Sequence, residues 1–376
     1  MTVSAPSYGS RVVRVNFRKR LHQSVPIWRP ALQWPLYGAT PARTQAHPAI
    51  TLRPPFRVVW KQRLRSLLEF PAVVWEGVAY VNNFRGYVTA LSMRNGRILW
   101  RRQIETTIAS SPAVDPRRRN LVVTSKVPGR ISLVRMDTGK VRWRYDTAAA
   151  ESSPVIANGI VYFGDKAGRM YALDLRRRKP RWVFSGGVKI TSSPALRGRR
   201  LYFGDYSGRV FALDVRSGRR LWTGSAGSRV YGTVAVADNR VFAPSVFSGL
   251  SALSARTGAL LWRIPVGVYL YSSPAYYRGR VYFGTYAGLV YCADARSGRI
   301  LWRRSIRGRV SGAIIIVAGV VYAGSLEGEI KGWHWRTGRT KWTFPHGKYV
   351  PVSGNGVRLL MHGRSGLYAV EPKRRR

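Results

Sequence analysis

Eight tryptophans recur along this chain at nearly constant spacing, and this period constrains the fold more than any other feature. Successive separations are 40, 43, 39, 40, 40, 40 and 40 residues, in the order Trp60, Trp100, Trp143, Trp182, Trp222, Trp262, Trp302 and Trp342. Six of them close a Gly-x-x-x-Trp sequence, with the glycines Gly96, Gly139, Gly218, Gly258, Gly298 and Gly338. The copy that ends at Trp182 departs, because Lys179 and Pro180 stand near the expected turn glycine. Such a period indicates one repeat architecture rather than several separate domains.

Each repeat contains four short strands separated by turns. In the clearest copy, residues 190–222, alternation of apolar residues and turn signals predict strand A at 194–197, strand B at 201–204, strand C at 209–213 and strand D from 220 onward. Four antiparallel strands per repeat are typical of a β-propeller blade. Strand A often opens with proline, which cannot donate to a ladder and suits the edge that faces the central channel. We therefore expect strand A innermost and strand D, with its tryptophan, outermost.

The repeats predict a closed ring. Seven complete copies run from residue 69 to 342, and an eighth, residues 348–371, holds only strands A to C. The missing strand D is supplied by residues 58–61 near the start of the chain, and closing the ring removes two exposed sheet edges. We predict an all-β, eight-bladed β-propeller at residues 57–371. Residues 1–56 form an irregular basic segment and lead-in, and residues 372–376 form a basic tail.

The repeat resembles a known family. The pattern [FA]-G-x-x-x-G-x-x-[YF]-x-L-D-x-x-[ST]-G-x-x-x-W, clearest at residues 203–222 and close at 283–302, is similar to the PQQ-like, or quinoprotein-type, repeat. Propellers of this type include outer-membrane assembly lipoproteins and quinoprotein alcohol dehydrogenases. Residues 34–38 and 52–56 look like the lead-in of exported bacterial propellers. The resemblance therefore implies a cell-envelope location, although no signal peptide or membrane anchor is visible in the sequence.

The same resemblance raises an enzymatic alternative, a PQQ-dependent oxidoreductase. It implies a quinone at the top of the channel, with a bound Ca²⁺, a catalytic aspartate and commonly two adjacent cysteines. The chain has one cysteine, Cys292, and Glu151 is the one acid whose position beside the channel suits a metal ligand. A lone glutamate at a loop end is more often solvated, and the aspartates fill turn positions where they bond backbone amides. We expect no catalytic residue, no cofactor and no metal.

The charge of the chain is extreme, with 64 Lys and Arg against 16 Asp and Glu and a formal net charge of +48. Such self-repulsion favours polyanionic partners, although a genome rich in arginine codons would give the same composition. In a four-stranded meander the A–B and C–D turns share one side of the ring, here called the turn face. The B–C turns and the links between blades share the other side, the crossover face. The turn face collects a set of basic residues: Arg94, Arg97, Arg118, Arg199, Arg200, Arg216, Arg219, Arg278, Arg280, Arg296, Arg299, Arg336 and Arg339.

Fewer basic residues fall on the crossover face, among them Arg85, Arg169 and Arg209, so we expect one strongly basic face. The function that follows is a non-catalytic binding scaffold that engages an anionic or envelope partner through this face. Non-specific nucleic-acid binding is a further alternative, and no base-reading motif accompanies the arginines. No run of 18 apolar residues exists, so no transmembrane helix is expected.

Overall fold

The repeat folds into four-stranded antiparallel sheets arranged around a central channel. The computed structural model describes residues 27–373 and, before them, two short strands, Thr2–Val3 and Arg11–Val12, which pair with each other. Within residues 27–373 there are eight blades, each with strands in the order A-B-C-D. The eight-bladed propeller predicted from the sequence is confirmed. The rest of the N-terminal segment before residue 27, and residues 374–376 of the basic tail, lie outside the described residues.

The strands of the first seven blades follow one another along the chain. Their bounds, A to D, are as follows: blade 1, Val73–Trp75, Val78–Asn82, Tyr87–Ser92 and Ile98–Gln103; blade 2, Ala113–Asp115, Asn120–Ser125, Arg130–Arg135 and Val141–Asp146; blade 3, Val155–Ala157, Ile160–Gly164, Arg169–Asp174 and Lys179–Ser185; blade 4, Ala195–Arg197, Arg200–Gly204, Arg209–Asp214 and Arg220–Ser225; blade 5, Ala235–Ala237, Arg240–Ser245, Gly249–Ser254 and Leu260–Ile264; blade 6, Ala275–Tyr277, Arg280–Gly284, Leu289–Asp294 and Ile300–Ser305; blade 7, Ile315–Val317, Val320–Gly324, Ile330–His334 and Thr340–Phe344.

Strand A is the innermost strand, as the prolines predicted. Strands A of neighbouring blades contact one another around the channel. The prolines directly precede the first residue of strand A in four blades, at Pro112, Pro154, Pro194 and Pro274. Strand D lies at the rim, where its side chains alternate between half-buried and exposed. The core therefore lies between blades, because each sheet packs its two faces against its neighbours.

The ring closes through blade 8, whose strands come from both ends of the chain. Strands A to C are Val352–Gly354, Leu359–His362 and Gly366–Pro372, and strand D is Phe56–Arg63. Strand D pairs antiparallel with strand C, and Trp60 lies opposite Ala369. This is the closure predicted from the sequence, and strand D extends two residues beyond each end of the predicted segment 58–61.

The periodic tryptophans pack between blades, and six of the eight indoles contact the C–D turn glycine of the next blade. The indole of Trp182 lies against Gly218, at which an added Cβ would come within 2.6 Å of the ring, and its Nε1 donates to the carbonyl of Val215 at 3.0 Å. Glycine is needed there because it takes φ = +72° and leaves room for the ring. Five further pairs repeat this contact: Trp60 with Gly96, Trp100 with Gly139, Trp222 with Gly258, Trp262 with Gly298, and Trp302 with Gly338.

Two tryptophans lack a glycine partner, for different reasons. In blade 3, the blade whose turn departs from the pattern, Arg178 takes the left-handed conformation (φ = +57°) in place of glycine, so Trp143 has no glycine to pack on. Beside Trp342 the next C–D connection is the junction of the two chain ends. There the ring of Phe56 packs edge-on against Trp342, with centroids 5.1 Å apart. Both departures therefore sit where the repeat itself is interrupted.

The lead-in is ordered and fills the channel on the side of the turn face. Backbone carbonyls of this segment accept one hydrogen bond from strand A in each of six blades, at 2.7–2.9 Å. The six pairs, with the accepting carbonyl named first and the donating amide second, are Trp34 and Val74, Pro35 and Val114, Pro41 and Leu196, Ala42 and Val236, Thr44 and Tyr276, and Gln45 and Ile316. A 3-10 helix, Pro30–Leu32, precedes this stretch, and the short strand Ala46–His47 runs parallel to strand A of blade 7. Nothing in the repeat pattern predicted that the lead-in fills the channel in this way; this segment is called the plug below.

Arg43 is the centre of the plug. Its side chain is fully buried, and its guanidinium donates to the carbonyls of Ser153 (2.8 Å), Pro154 (3.0 Å) and Pro194 (3.0 Å) and to that of Tyr37. Burial lowers the pKa of Arg43 to about 9. The arginine thus ties the lead-in to blades 3 and 4, and blade 3 receives none of the backbone bonds described above.

Candidate functional site

The thirteen arginines assigned to a basic face lie in A–B or C–D turns or directly beside them. Ten of them have exposed side chains: Arg94, Arg97, Arg199, Arg216, Arg219, Arg278, Arg296, Arg299, Arg336 and Arg339. The guanidinium group of Arg199 pairs with Asp214 at 3.5 Å, and within residues 27–373 the guanidinium groups of the other nine have no carboxylate oxygen within 4.0 Å. These nine guanidinium groups are therefore available on the turn face.

The remaining three arginines of that set are half-buried and hold the structure together. Arg118 pairs with Asp115 at 3.3 Å within its own turn. Arg200 donates to the carbonyl of Ala255 in the next blade at 2.7 Å, and Arg280 donates in the same way to the carbonyl of Arg336 at 2.7 Å. Because their donors are used between blades, Arg200 and Arg280 contribute less to an external site than the exposed arginines do.

The crossover face has a pocket of about 420 Å³ at the channel mouth. Its floor is the lead-in residue Tyr37, whose hydroxyl donates to Ser273 Oγ at 3.1 Å. Residues from the links into blades 1 and 3 and from the B–C turn of blade 2 form a charged wall, and tyrosines from blades 5, 6 and 8 form the wall opposite. The charged wall contains Glu69, Lys126 and Glu151, and the tyrosine wall contains Tyr231, Tyr271, Tyr286 and Tyr349.

Glu151, the candidate metal ligand, is already neutralised by two lysines. Its Oε1 lies 2.6 Å from Lys166 Nζ and 3.2 Å from Lys126 Nζ. Burial alone would raise the pKa of Glu151, but the hydrogen bonds and charges of the lysines outweigh it and lower the pKa below its usual value. Among the described residues, no group of three or more His, Cys, Asp or Glu side chains converges on a common point. A dication at Glu151 would have to displace both ammonium groups.

The aspartates take the structural positions predicted for them. Asp165 and Asp205 in the B–C turns accept amide hydrogen bonds from residues two and four further along the chain, at 2.9–3.0 Å. Asp174, Asp214 and Asp294 accept the amides that open the C–D turns. The single cysteine, Cys292, is buried opposite Trp302. Burial raises its pKa to about 11, so the thiol stays protonated near neutral pH.

An aromatic ridge runs from the pocket out over the crossover face of blades 4–6. It consists of Tyr206, Tyr231, Phe247, Tyr269, Tyr271 and Tyr286, and neighbouring ring centroids are 5.4–6.3 Å apart. Phe247 is 58% exposed and Tyr269 is 47% exposed, which is unusual for rings of this size. The ridge therefore presents two exposed rings beside four half-buried tyrosines.

Three cations lie over the rings of this ridge. Arg229 is 5.2 Å from the Tyr206 centroid and 5.6 Å from that of Phe247, so it bridges two blades. Lys189 lies 4.3 Å from the Tyr206 centroid, and Arg309 lies 5.3 Å from that of Tyr286. Cation–π contacts hold these side chains in place. Arg309 also pairs with Glu327 at 2.6 Å, whereas Arg229 and Lys189 have no acidic ion-pair partner among residues 27–373.

The basic turns predicted a binding surface on the turn face, and this ridge on the crossover face was not predicted. The spacing of its aromatic and basic residues along the sequence could have predicted the ridge. Tyr231 and Tyr271 are 40 residues apart, Tyr206 and Tyr286 are 80 apart, and Arg229 and Arg309 flank Tyr269 at 40 residues on either side. Residues at equal repeat positions fall at equal places around the ring, so exposed aromatics that share a repeat position form one surface.

The sequence matches a known family profile over most of its length. The profile described as outer membrane protein assembly factor BamB matches residues 84–248, 208–342 and 246–373. Curated relatives carry the same description: the BamB of Yersinia pestis is 25% identical over 201 residues, covering 45% of this chain and 50% of the relative. That of Legionella pneumophila (strain Paris) is 28% identical over 123 residues, 32% of this chain and 31% of the relative. The matches thus span half or less of these relatives' length.

Solved structures share the fold at low sequence identity. BamB from Moraxella catarrhalis superposes with a TM-score of 0.70 at 18% identity, covering 84% of this chain and 99% of that one. A europium-containing methanol dehydrogenase gives a TM-score of 0.76 at 13% identity, covering 91% of this chain and 98% of that one. The quinohemoprotein alcohol dehydrogenase of Comamonas testosteroni gives 0.76 at 14% identity, covering 91% and 81%. At such identities the likeness concerns the fold alone. In the part of the chain that the structure describes, no helix has the length and apolar character needed to cross a membrane.

Proposed function

Because this chain belongs to the family of the outer membrane protein assembly factor BamB, we propose that it is a non-catalytic protein-interaction scaffold of the cell envelope. The proposal rests on the family match and on a ring whose turns and crossovers offer two different surfaces. The crossover face presents aromatic rings, and the turn face presents arginines. Each suits a different class of partner.

The observation that carries the proposal is the aromatic ridge on the crossover face. Tyrosine, tryptophan and arginine are the residues that most often contribute the binding energy of protein interfaces. Here Phe247 and Tyr269 are exposed on the crossover face, and Arg229 lies over the Phe247 ring at 5.6 Å. An exposed apolar surface bordered by fixed cations favours a protein partner that supplies apolar and acidic side chains.

A deletion strain of the source organism tests this function. We expect loss of the chain to lower the amounts of proteins assembled in the outer membrane, and the wild-type chain to restore them. The double variant Phe247→Ser/Tyr269→Ser should fail to restore them, because it removes both exposed rings. The matched control is Leu260→Ser/Leu261→Ser, which removes two side chains of similar exposure (49% and 48%) from the outer strand of blade 5. Unchanged outer-membrane proteins in the deletion strain, or equal rescue by both double variants, would contradict the proposal.

A second candidate function, binding of an anionic partner through the turn face, is favoured by the nine exposed arginines that lack acidic partners within residues 27–373. Guanidinium groups bind phosphate and carboxylate in a bidentate manner, and they act together when clustered. Anionic lipid headgroups, acidic polymers of the envelope and nucleic acids all meet this requirement. Membrane or polymer binding by the turn face would leave the crossover face free for a protein.

The oxidoreductase alternative finds less support in the residues of the pocket. A quinone and Ca²⁺ would need acidic oxygens that are free to bind the metal, whereas Glu151 is held between Lys126 and Lys166. Among the residues that the structure describes, Glu69 is the only other acid in the pocket wall. The donor set therefore does not fit a calcium–quinone centre, and we propose no redox step for this chain.

A further inference from the structure

Glu69 stands apart from every other acidic residue of the protein. All 16 acidic residues lie within residues 27–373, and 15 of them form an ion pair or accept a hydrogen bond through the side chain. Glu69 does neither, although it is half-buried in the wall of the crossover-face pocket. In a chain with 64 lysines and arginines, a carboxylate without a partner is an exception that needs a physical reason.

The nearest cations are committed elsewhere. Lys126 and Lys166 both bond Glu151, so their charges reach Glu69 only at longer range. Burial, followed by the charge of Glu151, raises the pKa of Glu69 to about 6, while the two lysines act in the opposite direction. With Glu69 ionised, the two glutamates and two lysines sum to zero charge. The pocket is therefore locally neutral in a strongly basic protein, with one acceptor unused.

The opposite wall consists of tyrosines. Tyr271 packs edge-on against Tyr231 and Tyr286, with centroids 5.5 and 5.4 Å apart. Tyr231 and Tyr349 lie close enough to Glu69 that its charge, after burial, raises their phenol pKa values, so both remain neutral. The faces of neutral tyrosine rings attract cations, and more strongly where water is excluded.

We propose that this pocket binds an organic cation, an ammonium or guanidinium group that pairs with Glu69 and packs against the tyrosine wall. A volume of about 420 Å³ is within the range of small-ligand sites. Such a group occurs in free amines and in the basic side chains of proteins, and both present the same chemistry to the pocket. The inference does not rest on the scaffold function, since the ridge and the pocket are tested with different variants.

The charge state of Glu69 sets the expected pH dependence. The cation binds the ionised carboxylate, and the groups facing it are Glu151, Lys126, Lys166 and the two neutral tyrosines. With a pKa of about 6, Glu69 is ionised at pH 7.5 and mostly protonated at pH 5. Wild-type affinity for a cation should therefore fall about tenfold between these values.

The experiment is a calorimetric titration of the whole protein with two cations, choline and N-acetyl-lysine methylamide. A third ligand is the neutral analogue of choline in which a tert-butyl group replaces the trimethylammonium group. We expect at least one cation to bind, and the neutral analogue to bind at least about tenfold more weakly than choline if choline binds. Preference for choline would identify a small amine as the source, and preference for the lysine derivative would identify a basic side chain.

The variants decide whether Glu69 is the counter-ion. Glu69→Gln should weaken cation binding at least about tenfold and abolish its pH dependence, and Tyr231→Leu should weaken it about threefold. Glu76→Gln, which removes a glutamate paired with Arg119 at 3.2 Å on the turn face, should leave binding unchanged. Thermal unfolding of each variant checks that the ring is intact. The proposal is overturned if neither cation binds, if choline binds but the neutral analogue binds as tightly, or if folded Glu69→Gln protein keeps wild-type affinity.

Discussion

The indole of Trp60 donates from Nε1 to the carbonyl of Met93 at 3.0 Å and lies against Gly96, so a residue from the start of the chain joins the last blade to the first. Trp60 belongs to blade 8 by pairing with Ala369, and Gly96 belongs to the C–D turn of blade 1. Arg358 reinforces the same seam, since it donates to the carbonyls of Met93 and Arg94 at 2.6 and 2.7 Å. The interface between blades 8 and 1, which closes the ring, is therefore built from the same kinds of contact as the interfaces between the other blades.

Removing the Trp60 indole should open this seam. Because the side chain is half-buried, we expect Trp60→Ala to lower the free energy of unfolding by about 2–3 kcal/mol, less than the loss for a fully buried tryptophan. Gly96→Ala should also destabilise, because its Cβ would lie 2.7 Å from the Trp60 ring at φ = +74°. Urea unfolding measures both. Val58→Ala, at a 48% exposed position on the same strand, is the control, and equal effects of Val58→Ala and Trp60→Ala would refute a role in closure.

How much of this seam the sequence predicts depends on whether a residue recurs. Trp60 is one of eight copies, so its strand, its blade and its neighbour follow from the period alone. Phe56 is a single residue at the junction, and its contact with Trp342 becomes visible only once the ring is built.

The residues of the functional surfaces also divide into those that the repeat predicts and those that it does not. Arg216 and Arg200 were assigned to the turn face by the same argument, yet Arg216 is exposed while Arg200 bonds the next blade. Turn position fixes the side of the ring but not the direction in which a long side chain points. Glu69 and Glu151 each stand four residues before strand A, in blades 1 and 3, so the period places both at the channel mouth, although only Glu151 was singled out. Arg43 lies in the lead-in, outside the repeats, so the plug was not predicted.

Arg43 should hold the lead-in against the blades. Arg43→Met keeps much of the side-chain length but removes every donor to the carbonyls of Ser153, Pro154 and Pro194. We expect a loss of about 2–4 kcal/mol in unfolding free energy, because buried carbonyls are left without partners. Chymotrypsin should also cleave after Tyr37, now 3% exposed, faster than in the wild type. Arg53→Met replaces an exposed lead-in arginine and serves as control; wild-type cleavage rates in Arg43→Met protein would show that the plug does not depend on it.

His362 should make stability depend on pH. Its buried ring accepts the Ala72 amide at Nε2 (3.1 Å), which joins blade 8 to the link into blade 1, and burial lowers its pKa to about 4 from an ordinary value of 6.5. A base whose pKa is lower in the folded state is protonated first in the unfolded state. The contribution of His362 to the free energy of unfolding is therefore intact above pH 6.5 and is lost as the pH falls towards 4.

The expected loss at pH 5 relative to pH 7 is roughly 2 kcal/mol of unfolding free energy from this group. His362→Gln cannot titrate and should flatten the dependence by that amount, whatever its stability at pH 7. His346→Gln, which removes an exposed histidine, should keep the wild-type slope. Denaturant unfolding at several pH values measures the difference, and parallel curves for wild type and His362→Gln would contradict the assignment.

The turn face provides the last prediction, the dependence of anion binding on salt. Each arginine that contacts a polyanion releases condensed counter-ions, so affinity should fall steeply between about 50 and 200 mM salt and depend little on polymer sequence. Replacing Arg216, Arg219, Arg296 and Arg299 with Gln should weaken binding of heparin or anionic vesicles and reduce the slope of affinity against salt. All four residues are exposed, and their guanidinium groups have no carboxylate oxygen within 4.0 Å among residues 27–373.

The control set must carry the same charge change without disturbing the fold. Arg169 and Arg209 are unsuitable, because they neutralise the buried carboxylates of Asp165 and Asp205 at 3.0 and 2.7 Å. The matched set on the crossover face is therefore Arg65, Arg85, Arg307 and Arg364, all exposed and without an acidic ion-pair partner among residues 27–373. If the turn face is the binding surface, replacing these four residues with Gln should leave the affinity and its dependence on salt near those of the wild type. Equal losses from both sets would mean that the net charge of +48 acts as a whole and that neither face is specialised.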